Sequence, residues 1–376
     1  MKNNKIKKSK LSNFKNKLDF WATNSEEGGW NISSTDEGSQ KMLENENEKQ
    51  IKIQTGTEVV DDFVIDEDTS DDERMIVNMG PQHPSTHGVL RLQAELEGEV
   101  VRRVKPIIGY LHTGMEKTGE ELNYFQGPTN TTRMDYLSPL FNELVFSLTT
   151  EKLIGIEVPK RAETIRILMT ELNRVSSHLV ALATGGMDIG ALSMMIFGFR
   201  ERELILNFFE KTTGLRMNHN YIRPGGVAAD LPDGWQKDVE EILKIIPEKL
   251  QDYDDMLLDN PIWKGRLQNV GILTTEECFA YGVTGPSLRA SGYSWDLRKS
   301  QPYSGIENYE FDVPTLTEGD VFARWRVKVL EIFESLKIIE QAMNNMPKGP
   351  YKVQDKKITP PPRKRLDESM EALIHH

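Results

Sequence analysis

Cysteine is almost absent from this sequence, because only Cys278 carries a thiol among 376 residues. A disulfide needs two thiols, and a CxxC redox pair or an iron–sulfur cluster needs several in one chain. The composition therefore excludes an internal disulfide framework and any metal or iron–sulfur site built from several cysteines of this chain alone. It also predicts a reducing compartment such as the cytoplasm, since disulfide frameworks belong to oxidising compartments.

Long apolar runs and excess positive charge are also missing. No run of about 18 apolar residues occurs, and the most apolar segment, around residues 185–199, is too short and interrupted to span a bilayer. Any association with a membrane is therefore expected to come through partner proteins. Lys and Arg number 46 against 58 Asp and Glu, a formal net charge of −12. This balance argues against nucleic-acid binding, which needs a basic face, although a local basic patch stays open.

The first 74 residues differ in composition from the rest of the chain. Residues 2–17 are rich in lysine, and residues 26–73 consist mainly of Glu, Asp, Asn, Ser and Gln. Such a segment buries too little apolar surface to offset the entropy of ordering it, which predicts a disordered tail, basic and then acidic, over residues 1–74. A transit peptide over residues 1–23 is the alternative, and the lack of arginine there counts against it.

The periodicity of apolar residues changes from strand-like to helical near residue 114. Short apolar segments separated by Gly and Pro predict a small antiparallel sheet within residues 75–110, with strands at 75–79, 88–95 and 99–106. Three- and four-residue spacing then predicts a helical body over residues 111–376, with helices at 114–124, 136–155, 161–184, 189–213, 234–258 and 321–345. Residues 262–315 are expected to form a long loop region. The predicted fold class is α+β and mainly helical.

Two histidines, His83 and His87, lie four residues apart in NMGPQHPSTHGVL, residues 78–90. This spacing places two zinc ligands on one face of a helix, but Pro84 and Gly88 disfavour a helix and the HExxH glutamate is missing. No metal site is therefore expected. Two interpretations stay open for this predicted loop between strands. In the first, both rings brace the turn through backbone hydrogen bonds. In the second, one ring enters a cavity as a proton donor, since histidine titrates near neutrality.

Tyr136 and Asp188 are two further polar residues in segments that read as helical or apolar. Tyr136 lies near a predicted helix start beside Arg133, where a tyrosine most often packs. Asp188 interrupts the apolar segment GGMDIGALS, and it fits equally an N-cap for the following helix and a buried acid paired with a cation or histidine. The turn IRPGGV, residues 222–227, lacks the lysine and spacing of a P-loop, so phosphate binding is not expected.

Seven longer segments identify a family when they are taken together. They are GPQHPSTHGVLRL (80–92), IGYLHTGMEK (108–117), TTRMDYLSP (131–139), ELNRVSSHL (171–179), MDIGALSMMIFGFRERE (187–203), YIRPGGVAADLP (221–232) and GVTGPSLRASG (282–292). In order and spacing they are similar to the large quinone-site subunit of respiratory complex I, the D-subunit family of NADH:quinone oxidoreductase. The resemblance covers about residues 75–376 and leaves out the acidic tail.

The resemblance implies a fold related to the large subunit of nickel–iron hydrogenases, with a small N-terminal sheet followed by a helical body. Hydrogenases hold their metal centre with two pairs of cysteines, and Cys278 in TTEECFAYG does not match such a pair. Hydrogenase activity is therefore excluded by the number of ligands. The cavity related to the hydrogenase metal site would instead receive the quinone head group, as substrate, with no cofactor bound by this chain alone.

Three positions of this sequence match residues that contact or support the quinone in the family. The quinone-contacting histidine falls on His87, the quinone-contacting tyrosine on Tyr136, and the acid that pairs with the histidine on Asp188. Reduction of a quinone takes up two electrons and two protons, so the site needs a proton donor at each carbonyl oxygen. A histidine and a tyrosine hydroxyl suit these two roles. Three further residues are expected at the pocket or at the cluster interface: His83, His112 and Arg133.

The resemblance also implies partners and a location. The electrons are expected from an iron–sulfur cluster held by the cluster-bearing small subunit of the complex. Contacts are expected with this subunit, with other subunits of the hydrophilic arm and with membrane-arm subunits at the quinone channel. The chain would then be peripheral on the cytoplasmic face of the cell membrane, or on the matrix face of a mitochondrion.

The sequence departs from the family pattern at two places. Thr113 stands where some relatives carry an arginine close to the cluster-bearing partner. Whether the charge of a side chain at this position tunes the site therefore stays open. Family chains usually continue beyond the segment resembling SMEALIHH, so a terminal region that helps wall the pocket is expected to be missing. Two hypotheses follow: an active subunit of the proton-pumping NADH:quinone oxidoreductase, and a structural or assembly protein that keeps the fold without the chemistry.

Overall fold

The computed structural model describes residues 74–355, 357–361 and 363–375. The predicted disordered tail, residues 1–74, lies outside these residues except for its last position. Arg74 is the first residue of a strand rather than the end of a tail. The elements from Arg74 onward belong to one compact unit.

The described chain begins with the predicted antiparallel sheet. Its strands are β1 (Arg74–Met79), β2 (Arg91–Glu97) and β3 (Val100–Ile107), in the order β1-β2-β3. Met79 pairs with Leu92, and a bulge interrupts the pairing of β2 with β3. Because β2 starts at Arg91 and not at residue 88, residues 80–90 are free to form a loop that carries both histidines. We call this segment the His loop.

The helical body follows, and all six predicted helices are present with shifts of a few residues at their ends. The helices of the described residues are α1 (Met115–Glu121), α2 (Gly127–Thr131), α3 (Pro139–Ile154), α4 (Lys160–Asp188), α5 (Leu192–Thr213), α6 (Trp235–Leu257), α7 (Pro261–Leu267), α8 (Thr275–Ala280), α9 (Gly285–Ala290), α10 (Leu297–Ser300), α11 (Val321–Asn344) and α12 (Met370–His375). Between α5 and α6 lies a small hairpin of β4 (Ile222–Arg223) and β5 (Gly226–Val227).

The prediction of a long loop region over residues 262–315 is wrong in part, because α7, α8, α9 and α10 fall largely within it. Local hydrogen bonds start two of these helices. The Asn260 side chain accepts from the backbone N–H groups of Ile262 and Trp263, and Thr274 forms a capping box with Glu277. Each of these helices has seven residues or fewer, so fewer than two turns are available to show a 3.6-residue period in the sequence.

The core is built around α4, which packs against α3, α5 and α11. Apolar side chains from α4, α5, α6 and α11 form the main cluster, including Leu172, Leu179, Phe209, Ile246 and Ile332. A helix that is covered on several sides must bury some of its polar residues too, and α4 buries Arg166, Glu171 and His178. The core therefore fixes the position of the C-terminal end of α4, where Asp188 lies. No helix of the described residues is long and apolar enough to cross a membrane.

Candidate functional site

The His loop is held in one conformation by a glycine and a buried threonine. Gly80 has φ +83°, and a Cβ built there would lie 2.2 Å from the carbonyl oxygen of Leu90 and 2.6 Å from Thr86 Oγ1. This position therefore requires glycine. The Thr86 side chain is buried, and its hydroxyl lies 3.2 Å from the carbonyl oxygen of Pro81 and 3.1 Å from that of His83. The loop is consequently a fixed platform for its two imidazole rings.

The two histidines have different surroundings within this loop. His83 Nδ1 accepts a hydrogen bond from the backbone N–H of Ser85 at 3.2 Å, which agrees with the bracing interpretation for this ring. His87 follows a short 3-10 turn, Pro84–Thr86, and has the left-handed conformation with φ +54°. Non-glycine residues adopt this conformation uncommonly, and it often marks functional sites. Its side chain is 48% exposed, and Nε2 lies 3.6 Å from Asp188 Oδ2.

Asp188 is not the N-cap of the next helix, and it is a partly buried acid with a histidine partner. It is the last residue of α4, while α5 starts at Leu192 with Ala191 at its N-cap position. The helix ends because Gly190 takes φ +100°, and the backbone N–H groups of Gly190 and Ala191 turn back onto the carbonyls of Met187 and Gly186. The Asp188 side chain is 35% exposed, and it has the histidine partner that the second interpretation named.

The His87–Asp188 pair joins the loop of the sheet to the end of the central helix. A separation of 3.6 Å is long for a hydrogen bond but within the range of an ion pair, and such contacts often tighten when a substrate binds. The C-terminal end of α4 carries the negative end of the helix dipole, so the carboxylate and the helix end both attract positive charge. The arrangement can hold an imidazolium whose ring stays accessible to a ligand.

Tyr136 lies outside the helix that was predicted to begin at residue 136, because α3 begins at Pro139. It occupies the turn between α2 and α3, and it is 45% exposed. Asp135 fixes this turn, since its carboxylate accepts from the backbone N–H of Leu137 at 3.1 Å. Within the described residues no hydrogen bond or ion pair joins Tyr136 to His87 or Asp188. The ring is thus presented to solvent on an ordered turn.

His112 and Arg133 make local contacts on the surface. His112 Nε2 lies 3.6 Å from Glu116 Oε2, and both side chains are exposed. The Arg133 guanidinium donates to the carbonyl of Thr129, one helical turn earlier. Within the part of the chain that the structure describes, no three His, Cys, Asp or Glu side chains come close enough to hold a metal ion. Roles for His83, His112 and Arg133 at a pocket or interface therefore stay predictions.

Comparison with known proteins decides the family. Residues 188–376 match the family model of the respiratory-chain NADH dehydrogenase 49 kDa subunit. An NADH-quinone oxidoreductase D-subunit of Salinispora arenicola is 55% identical over 327 residues, which cover 82% of this chain and 74% of the relative. The corresponding protein of Rhodococcus jostii is 55% identical, and the match covers 81% of this chain and 74% of the relative. That of Mycobacteroides abscessus is 52% identical, and the match covers 87% of this chain and 80% of the relative. The chain belongs to the D-subunit family of NADH-quinone oxidoreductase.

Membership in the D-subunit family confirms the resemblance carried by the seven segments, and it confirms the class of activity. The chain is a subunit of an oxidoreductase complex. The three-stranded antiparallel sheet followed by helices fits the predicted α+β fold.

Buried ionic clusters around α4 were missed by the sequence reasoning. Glu331 of α11 lies 2.7 Å from His178 Nε2 and accepts a hydrogen bond from Arg289 at 2.6 Å. Arg298 contacts Asp296 at 2.7 Å and Glu171 at 3.0 Å. One signal was available in the sequence: charged residues inside a helix with apolar residues on several faces must be buried and therefore paired. The contact between Arg298 and Asp296 is local, but the partners Glu171 and Glu331 come from distant segments, which no local pattern reveals.

Stability in acid is expected to depend on Glu331. Burial alone would raise the pKa of Glu331, but the hydrogen bond from His178 and the charge of Arg289 lower it from its ordinary 4.5 to about 2. Because the folded pKa is below the unfolded one, the carboxylate stabilises the fold above pH 4.5, and this contribution is lost as the pH falls to about 2. Glu331→Gln is expected to be less stable than the wild type at pH 7, and the difference is expected to shrink in acid.

Urea unfolding at several pH values measures this difference directly. Glu248→Gln is the matched control, since Glu248 is an exposed glutamate that pairs with Lys249 at 3.1 Å on the surface. A loss of stability in Glu331→Gln that is the same at pH 7 and pH 2 would contradict the assignment.

Proposed function

We propose that the chain forms one wall of the quinone-reduction site of a proton-pumping NADH-quinone oxidoreductase. His87 and Tyr136 donate protons to the two quinone oxygens, and Asp188 holds and balances the charge of His87. The observation that carries this proposal is the His87–Asp188 pair, with 3.6 Å between Nε2 and Oδ2. An acid beside an accessible histidine on a rigid loop is what a proton donor near neutral pH requires.

The reaction adds two electrons and two protons to a quinone and yields a quinol. The electrons come from an iron–sulfur cluster in the neighbouring small subunit of the complex, since the single Cys278 of this chain is buried and hydrogen-bonded to Ser291. The residues of this chain supply the proton side of the reaction. His87 gives the proton of its ring nitrogen to one quinone oxygen, and the Tyr136 hydroxyl gives its proton to the other. Both groups are exposed enough to recover a proton from water.

Exposed apolar side chains, three of them on one face of α5, support a contact with partner subunits and with the quinone. Leu192, Ile196 and Phe199 lie at i, i+4 and i+7 on the first turns of α5, directly after the Asp188 turn. Ile108 and Met134 are also exposed, at 81% and 60%. Exposed apolar side chains that cluster mark interaction sites. The proposed partners are the cluster-bearing small subunit, other hydrophilic-arm subunits and the membrane arm, with the chain on the cytoplasmic or matrix face.

Two substitutions in the assembled complex test the proposal. His87→Ala and Tyr136→Phe are each expected to lower quinone-reductase turnover by about 100-fold or more, because each removes one proton donor. Electron transfer from NADH to a hydrophilic artificial acceptor is expected to stay unchanged, since this reaction bypasses the quinone. The two rates are measured on the same membranes, so that the second rate also reports the amount of assembled complex.

The control for these variants is Tyr281→Phe. Tyr281 is an exposed tyrosine at the end of α8, outside the proposed site, and its substitution is expected to change neither rate. If both His87→Ala and Tyr136→Phe keep full quinone turnover in assembled complex, the proton-donor assignment is wrong. The alternative of a structural or assembly protein without chemistry would then be favoured.

A further inference from the structure

We propose that Arg266 is a positioning residue that holds the Asp188 turn in place for the reaction. The inference rests on the proposed function, in which Asp188 supports His87. Arg266 lies in the last turn of α7, and its guanidinium donates a hydrogen bond to the carbonyl of Ile189, the residue that follows Asp188. A side chain from a distant helix thus fixes the backbone that presents the carboxylate.

The carbonyl of Ile189 benefits from such a partner. The last carbonyls of a helix receive no N–H from within the helix, and the turn after α4 uses those of Gly185, Gly186 and Met187 for its own N–H groups. The Ile189 carbonyl oxygen instead accepts a hydrogen bond from the Arg266 guanidinium. A hydrogen bond from a cation is stronger than one from a neutral donor, and positive charge is favoured at the C-terminal end of a helix.

Gly190 shows that the guanidinium lies against the turn and does not only reach its edge. Gly190 has φ +100°, and a Cβ built on it would come within 3.0 Å of Arg266 Nη1. The turn and the guanidinium are therefore in close contact over two consecutive residues, Ile189 and Gly190. A shift of this turn that carried the Asp188 carboxylate away from His87 would disturb the contact with Arg266.

The helix that carries Arg266 is itself fixed to the core. Trp263 and Leu267 of α7 are buried, and the ring of Trp263 packs edge-on against Trp325 with 5.7 Å between centroids. Asn260 caps the N-terminal end, since its side chain accepts from the Ile262 N–H at 2.9 Å. Because α7 is packed on the core, its guanidinium can hold the Asp188 turn at a fixed position relative to the core. Arg266 itself is exposed, so its position is set by the packed helix that carries it and by its contact with the turn.

Loss of the guanidinium is expected to weaken the support of His87 without removing the proton donor. Arg266→Ala is expected to lower the turnover number with quinone by about tenfold, because a small misplacement of a supporting group is costly, with little change in KM. Arg266→Lys keeps a cation of similar reach and is expected to recover part of the turnover. Lys264→Ala is the matched control, since Lys264 also lies on α7 but pairs with Asp259 at 2.9 Å, away from the Asp188 turn.

The decisive measurement is a double-substitution cycle with Asp188 in the assembled complex, followed by quinone turnover and by transfer to an artificial acceptor. If Arg266 acts through Asp188, the double variant Arg266→Ala with Asp188→Asn is no slower with quinone than Asp188→Asn alone. If the losses of quinone turnover in the two single variants multiply in the double variant, the inference is overturned. It is also overturned if Arg266→Ala keeps the same quinone turnover as Lys264→Ala.

The same experiment separates this inference from the proposed function. If Asp188→Asn impairs quinone turnover while Arg266→Ala does not, only the role of Arg266 is wrong. If Asp188→Asn itself leaves quinone turnover unchanged, the proposed function fails, and the role of Arg266 fails with it.

Discussion

Replacing Arg166 by alanine is expected to lower the free energy of unfolding by about 3–5 kcal/mol, the loss typical of a buried ion pair from which one partner is removed. The Arg166 side chain has no exposed surface, and its guanidinium contacts both carboxylate oxygens of Glu151, at 3.0 and 2.5 Å. It also donates to the carbonyls of Arg223 and Gly226 at 2.9 and 3.0 Å. Alanine would leave the Glu151 charge buried without its cation and would release the β4–β5 hairpin.

Equilibrium unfolding in urea measures this loss as a shift of the midpoint at constant slope. Arg216→Ala is the matched control, because Arg216 makes an exposed ion pair with Glu203 at 2.6 Å. Exposed pairs of this kind are worth about 1 kcal/mol or less. An Arg166→Ala variant that loses no more stability than Arg216→Ala would show that the buried cluster is not needed for the fold.

Replacing Asp188 by asparagine is expected to lower quinone turnover by about 100-fold, within the range that acid–base groups contribute to catalysis. Asparagine keeps the size of the side chain and removes its charge. The His87 ring, 3.6 Å from Oδ2, then loses the counter-charge that stabilises its protonated form in the proposed reaction. The amide also presents N–H groups to the ring, which cannot accept them while it is protonated.

The rate is followed as a function of pH, with transfer from NADH to an artificial acceptor as the measure of assembly. Asp252→Asn serves as the control, because Asp252 is an exposed acid of α6 that pairs with Lys249 at 2.9 Å. Full quinone turnover in Asp188→Asn at every pH would remove the observation on which the proposed site depends.

Long helices were predictable from the sequence, and most short ones were not. The three strands and five helices of 16 residues or more were found because their apolar residues repeat over many positions, whereas the seven-residue α1 was found only as part of a longer predicted helix, 114–124. The helices between residues 261 and 300 were missed because each contains less than two full turns. Two of them start at single capping residues, Asn260 and Thr274.

The candidate site was predictable only in part. The Gly and Pro residues around His83 and His87 predicted the loop that carries both rings, since these residues favour turns wherever they occur. The bracing contact of His83 with Ser85 is local and agrees with one of the two interpretations. Asp188 fitted equally the cap of the next helix and a buried acid paired with a cation or histidine; it ends the previous helix, and it has a histidine partner in His87. Whether a polar residue ends one helix or starts the next depends on the turn at Gly190.

The sequence by itself determined the class of the fold, the family and the types of residue available for chemistry. These depend on composition, on periodicity and on long motifs in order, all of which are read along the chain. The resemblance already paired Asp188 with His87, and the structure brings their side chains within 3.6 Å. Only the tertiary structure decided other meetings, such as Arg266 with Ile189 and Arg166 with Glu151. The physical reason is that local preferences act over a few residues, whereas these contacts depend on how α4 packs against helices far away in the sequence.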